Sequence, residues 1–179
     1  CTAHGITARY GREPGGTPLG ERLRTILLDR TTDADPLTEL LLLLAARRAH
    51  LQQTILPTLA RGEWYISDRY RDATYAYQHY GRGIPLATIA ALEAASETDR
   101  VPDLALILGS SAATARDRLA QRGAAQDRFE AEDADFFARV AAGYRARAEE
   151  PQAVWIDAEG DTTTVFARIR PHLEALRQP

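Results

Sequence analysis

Four short apolar segments set the frame of this chain: "ITARYG" (6–11), "EWYISD" (63–68), "DLALILG" (103–109) and "AVWIDA" (153–158). Between them the sequence carries helical periodicity, over 18–29, 36–60, 86–98, 111–122, 132–149 and 162–177. Strand alternating with helix implies an α/β fold, a parallel sheet with helices on both faces. A length of 179 residues fits one domain, 1–179. No internal repeat or low-complexity tract interrupts it.

Composition removes several function classes. Hydrophobic residues make up 45% and charged residues 26%, enough of each for a globular chain with a sizeable core. The net charge of −3 offers no basic excess for a nucleic-acid partner. The longest apolar run, 40–46, is too short to span a bilayer, so no membrane partner is expected. The one cysteine, Cys1, excludes an internal disulfide and points to a reducing compartment. The chain opens on Cys and contains no Met, as expected of a processed start or of a piece of a longer reading frame. All 22 basic residues are arginine.

The helix over 36–60 opens on "DPLTEL", with Asp35 as N-cap and Pro36 in the first turn. Leu40 to Leu44 follow in succession and, at about 100° per residue, cover every face of the helix. Such a helix either lies in the domain centre or shares a face with a second subunit.

In open parallel sheets, ligands bind beyond the carboxyl ends of the strands. The first strand ends in Arg12, Glu13, Pro14, Gly15 and Gly16, the second in "SDRYRDATYAYQ", the third in Gly109, Ser110 and Ser111. Arginines and acids at neighbouring strand ends suggest an anion site with a metal or a second charge nearby. The stretch "RDRLAQRGAAQDRFEAED" holds Arg116, Arg118, Arg122 and Arg128 in a short span around Gly123. It reads as a mobile lid over 116–131 that closes on phosphates, or as a solvated helix end with i,i+4 ion pairs. The four histidines show no metal-ligand spacing and read as structural or surface residues.

The blocks "REPGGTPLGERLR", "DRYRDATYAYQ" and "DRFEAEDADFFARVAAGY" resemble bacterial thymidylate kinases, in that family's order and spacing. The resemblance implies a P-loop-kinase-like fold and phosphoryl transfer from ATP to dTMP, giving dTDP for dTTP synthesis, with Mg²⁺. It also implies a cytoplasmic homodimer. By motif, Arg69 contacts the phosphate of dTMP. Arg47, Thr74 and Gln78 reach the thymine base, Tyr77 sits against the deoxyribose, and Glu13 and Pro14 shape the acceptor pocket. Arg122, with Arg118 and Arg128, approaches the transferred phosphoryl, and Asp68 belongs to the catalytic set. Phosphoryl transfer asks mainly for positioning and charge neutralisation, which suits these residue types.

The sequence departs from the family pattern in places. Leu43 stands where a Phe that stacks on thymine is usual, Ala73 where Ser is usual, and Gly11 where Thr is usual. No G-x-x-x-x-G-K-[ST] stretch occurs in these residues. The segment before "REPGG" reads as the tail of the first family helix and the second strand. The expectation is therefore that the central first strand and phosphate loop are missing, that the 63–68 and 103–109 strands flank a vacant slot, and that the chain as given is inactive. Alternatives are a degenerate homologue that binds a nucleotide or partner without catalysis, and a kinase for another nucleoside monophosphate.

Overall fold

The structure, a computed structural model, describes residues 5–122 and 127–176, with the side chains of Leu119 and Arg122 outside the described set. Each apolar segment forms a five-residue strand: β1 Ala8–Arg12, β2 Trp64–Asp68, β3 Ala105–Gly109 and β4 Ala153–Asp157. They pair in two parallel ladders, β1 with β2 from Ala8↔Trp64 to Arg12↔Asp68, and β3 with β4 from Ala105↔Ala153 to Gly109↔Asp157. β2 and β3 are not ladder partners.

The helices are α1 Pro18–Leu28, α2 Pro36–His50, α3 Leu56–Ala60, α4 Arg71–Thr74, α5 Leu86–Ala95, α6 Ala112–Arg122, α7 Ala134–Arg147 and α8 Thr162–Ala175. Asp35 caps α2 as its sequence position predicts, accepting from the backbone N–H groups of Leu37 and Thr38. A π-helical turn, Leu51–Ile55, carries α2 into α3. A second π-helical stretch, Tyr75–Gly81, extends α4.

The chain divides into two compact units, Cys1–Arg100 with Gln126–Gly143, and Val101–Ala125 with Tyr144–Pro179. In the first, α1 packs on α2, and a core of Leu40, Leu44, Tyr75, Ile84 and Ile89 joins α2, the π-helical stretch and α5. The leucine run is not buried all round. Leu40 and Leu44 are inside, whereas Leu41 keeps 48% of its surface in water. A spacing of i, i+4 puts Leu40 and Leu44 on one stripe, and one stripe is all the core takes.

In the second unit α8 packs on β4, and Ile107 and Ile156 are buried. Gly109 is needed there for close approach, since a Cβ would meet the Trp155 ring at 1.8 Å. The lid stretch divides in structure: Arg116, Arg118 and Arg122 fall on helix α6, residues 123–126 lie outside the described residues, and 128–132 form a turn.

Candidate functional site

The end of β1 turns sharply over the N-terminus of α1. Glu13 extends the ladder by one residue, its N–H donating to the carbonyl of Asp68 at 2.9 Å. The Glu13–Pro14 peptide is cis, and the Pro14 carbonyl accepts from Arg24 at 3.1 Å. Gly16 has φ +77°, and a Cβ there would meet the His50 ring at 2.4 Å, so the loop needs glycine for backbone and for space. Thr17 caps α1 by accepting from the N–H of Gly20. Glu21 of the first turn accepts from the N–H of Gly16 and pairs with Arg12, and these contacts hold its carboxyl below the usual range.

Beneath this loop lies a buried charge network centred on Arg47 of α2. Its Nε donates to Glu13 Oε2 at 2.7 Å, Nη1 to Glu93 Oε1 at 3.1 Å and Nη2 to Thr74 Oγ1 at 2.8 Å. Burial opposes its charge, but Glu13 and Glu93 outweigh that effect and hold the guanidinium more firmly protonated than usual. Glu93 of α5 also takes the guanidinium of Arg71 at 2.7 Å and the hydroxyl of Tyr75 at 2.9 Å. Glu13 also faces His50 Nδ1 at 3.1 Å, and His50 Nε2 meets the Tyr65 hydroxyl at 2.6 Å. A carboxylate only accepts, so Nδ1 carries a proton toward Glu13. Arg47 also stacks over the Tyr70 ring, 5.0 Å from its centroid. The Tyr70 hydroxyl is buried with no hydrogen-bond partner among the described residues, and burial pushes it up to about 12.

Two further groups flank this network. At the end of β2, Arg69 adopts φ +65°, a left-handed conformation that costs a non-glycine residue energy. Its guanidinium lies 5.1 Å from the centroid of Tyr77, whose ring meets Phe129 and Phe136 edge-on. Next to Tyr77 in sequence, Gln78 donates to the buried carboxylate of Glu39 at 2.8 Å. Glu39 also faces Arg82 at 3.3 Å and Arg128 at 2.9 Å. The Arg128 contact is one of charge, out of line for a hydrogen bond, while its Nη2 donates to the carbonyl of Ala34.

The structure thus brings together Glu13, Arg47 and Thr74, sets Arg69 against Tyr77, and joins Gln78 to Arg128 through Glu39. Asp68 ends β2 with an exposed side chain. Arg118 belongs to the second unit, where it donates to the carbonyls of Ala158 and Gly160. The side chain of Arg122 lies outside the described residues.

Sequence reasoning missed Glu39, His50, Tyr70, Arg71 and Glu93. Glu39 and Glu93 are lone acids in apolar runs, "LTELLLLL" and "IAALEAA", and both are wholly buried. An isolated acid on an apolar face demands a cation, and that was the available signal. Among the described residues, no group of three or more His, Cys, Asp or Glu is placed to hold a metal ion. The cation beside Glu13 is Arg47. Such an arrangement can hold an anion and orient a polar ring, and it lacks the nucleophile–base pair of covalent catalysis.

Comparison with known proteins gives the family. The family model described as thymidylate kinase matches residues 1–169. A thymidylate kinase of Dichelobacter nodosus is 53% identical over 173 residues, 97% of this chain and 85% of the relative. One of Chromobacterium violaceum is 46% identical over 175 residues, covering 97% and 82%. The crystal structure of thymidylate kinase from Ehrlichia chaffeensis superposes with a TM-score of 0.73 at 29% identity, over 93% of this chain and 81% of that one.

Proposed function

Because the chain belongs to the thymidylate kinase family, we propose that it takes dTMP as phosphoryl acceptor and ATP as donor, giving dTDP in the cytoplasm. The observation that carries this reading is the Arg47 network. One buried guanidinium ties the β1 loop through Glu13, the segment after β2 through Thr74, and α5 through Glu93. Two of those segments, together with the Arg128 stretch, carry the blocks that resemble the family.

In this reading Arg69 takes the acceptor phosphate. Its strained backbone fixes the guanidinium at the strand end, where Tyr77 stacks beside it and forms the wall for the deoxyribose. Glu13 and Pro14 shape the floor, and Arg47, Thr74 and Gln78 face the base. Arg128 neutralises charge on the transferred phosphoryl, and Asp68 completes the catalytic set at the strand end. Mg²⁺ arrives with ATP as part of that substrate. The 179 residues contain neither lysine nor a G-x-x-x-x-G-K-[ST] loop. These residues therefore supply acceptor recognition, and the ATP-phosphate cradle is not among them.

The test separates binding from turnover. The 179-residue chain should bind dTMP measurably by calorimetry and show no ATP-dependent dTDP formation in a coupled assay. Arg69→Ala should weaken dTMP binding roughly 10- to 100-fold, the worth of a charge-assisted contact of about 1.5–3 kcal/mol. Unchanged affinity would remove Arg69 from the site, and turnover at ordinary kinase rates would overturn the division of labour.

We also propose a homodimer through the outer face of α2. Leu37 and Leu41 are each about half exposed there, and a groove of about 390 Å³ lies between Leu41, Ala45, Arg48, Leu92 and Ala95. Analytical ultracentrifugation at micromolar concentration should give the dimer mass, and Leu41→Glu should give the monomer. A monomer for the unaltered chain would refute it.

A further inference from the structure

Glu39 has no exposed surface, and three side chains converge on its carboxylate. Gln78 Nε2 lies 2.8 Å from Oε1, Arg82 Nη2 3.3 Å from Oε2, and Arg128 Nη1 2.9 Å from Oε2. Arg82 is held in turn by Glu132 at 2.6 Å, so the carboxylate is clamped and cannot swing away from Gln78. This arrangement decides which way the Gln78 amide faces. A carboxylate accepts and never donates, whereas an amide has one donating end and one accepting end. Turning the amide over would press carbonyl oxygen against carboxylate oxygen at the same short distance. Gln78 is 1% exposed, so water cannot relieve that contact. Its NH₂ must therefore face Glu39. The carbonyl Oε1 is left pointing away from Glu39.

We propose that Glu39 is a specificity-determining positioning residue: by holding the NH₂ of Gln78 it fixes that amide as a hydrogen-bond acceptor toward the nucleobase. The inference rests on the reading above that Gln78 meets the base. Thymine and uracil carry an N–H at ring position 3, which an acceptor satisfies. Cytosine carries a bare nitrogen there, which an acceptor repels. A rotating amide would serve either base, and a clamped one serves only the keto pyrimidines. Selection against cytosine thus lies in a carboxylate that never touches the ligand. Selection between thymine and uracil lies elsewhere, because both present the same N–H.

The experiment is equilibrium binding of dTMP, dUMP and dCMP to the unaltered chain, Glu39→Gln and Gln78→Met, with a thermal melt of each. The unaltered chain should prefer dTMP and dUMP to dCMP. Glu39→Gln can satisfy Gln78 in either orientation, so it should narrow the dTMP-to-dCMP affinity ratio about 5- to 10-fold, the worth of one hydrogen bond. Gln78→Met should narrow the ratio at least as much. If Gln78→Met leaves the ratio intact, Gln78 does not meet the base, and the underlying reading falls together with the inference. If Gln78→Met narrows it and a folded Glu39→Gln does not, the inference alone is overturned. Should Glu39→Gln fail to fold, NMR of the Gln78 side-chain amide in the unaltered chain decides. Its NH₂ protons should exchange slowly with water and stay protected on addition of dTMP. Loss of that protection on binding would mean the amide turns over, which overturns the proposal.

Discussion

The two units handle charge in opposite ways. The first buries Glu13, Glu39, Arg47, His50, Asp72 and Glu93, while among the described residues the second buries no polar or charged side chain. Its Arg168–Asp157 ion pair stays largely in water, with side chains 38% and 56% exposed. Desolvating ions costs several kcal/mol each unless every lone pair and proton is met. A unit that does so repeatedly holds those groups in fixed geometry for a further purpose. The contrast supports the proposal that the first unit is built around a polar ligand, while the second packs in the usual apolar sense.

The largest effect should come from Arg47→Met, which leaves Glu13 and Glu93 buried with one cation fewer. We expect a loss of about 3–5 kcal/mol in urea denaturation. A loss below about 1 kcal/mol would mean that the network is solvated and the contrast false.

Tyr70→Phe sharpens the comparison by going the other way. The hydroxyl it removes is buried without a partner, so stability should stay level or rise by up to about 1 kcal/mol. The alkaline limb should change as well. In the folded chain Tyr70 is raised by burial from an ordinary value of 10 to about 12, so between those values the unfolded chain gives up the proton first. Stability is then fully present below pH 10 and is lost as pH rises towards 12. Tyr70→Phe should flatten part of that decline, leaving the parts due to Tyr65 and Tyr75, both also raised by burial. An identical alkaline limb in denaturation against pH would show that the hydroxyl is hydrated.

The smallest effect belongs to the second unit. Arg168→Ala removes a water-exposed pair and should cost no more than about 1 kcal/mol by the same denaturation assay. A cost equal to that of Arg47→Met would erase the distinction between the units.

Much of the fold was legible because it follows apolar pattern. All four strands fall within or one residue beyond their apolar segments, and α1, α5, α6, α7 and α8 begin within two residues of where periodicity places them. The stretch 67–78 was read as the polar end of a strand, yet the segment from Arg71 to Gly81 is helical. Its buried residues are Asp72, Thr74, Tyr75, Ala76, Gln78 and Gly81, so the inward face is largely polar. A test of apolar period cannot detect a helix whose inner side makes hydrogen bonds rather than hydrophobic contacts. The site divides along the same line. Glu13, Arg47, Thr74 and Gln78 were named from motif blocks, and the structure adds the partners that hold them. Glu39 and Glu93 supply no ligand contact of their own in the reading proposed here, so motif reading had no reason to name them. Their signal was energetic, a charge where none belongs.

Arg47 also constrains how this chain can change by descent. Its three hydrogen bonds reach residues 13, 74 and 93, which lie 34, 27 and 46 positions away along the chain. A substitution at any one of these positions strands a charge or a donor in the interior, and the remedy lies in a distant codon. Variants should therefore pass through paired replacements, with a neutral residue at 47 appearing only where 13 or 93 has also lost its carboxylate. Among the described residues the surface of the second unit carries no such linkage, and its sequence is free to drift one residue at a time.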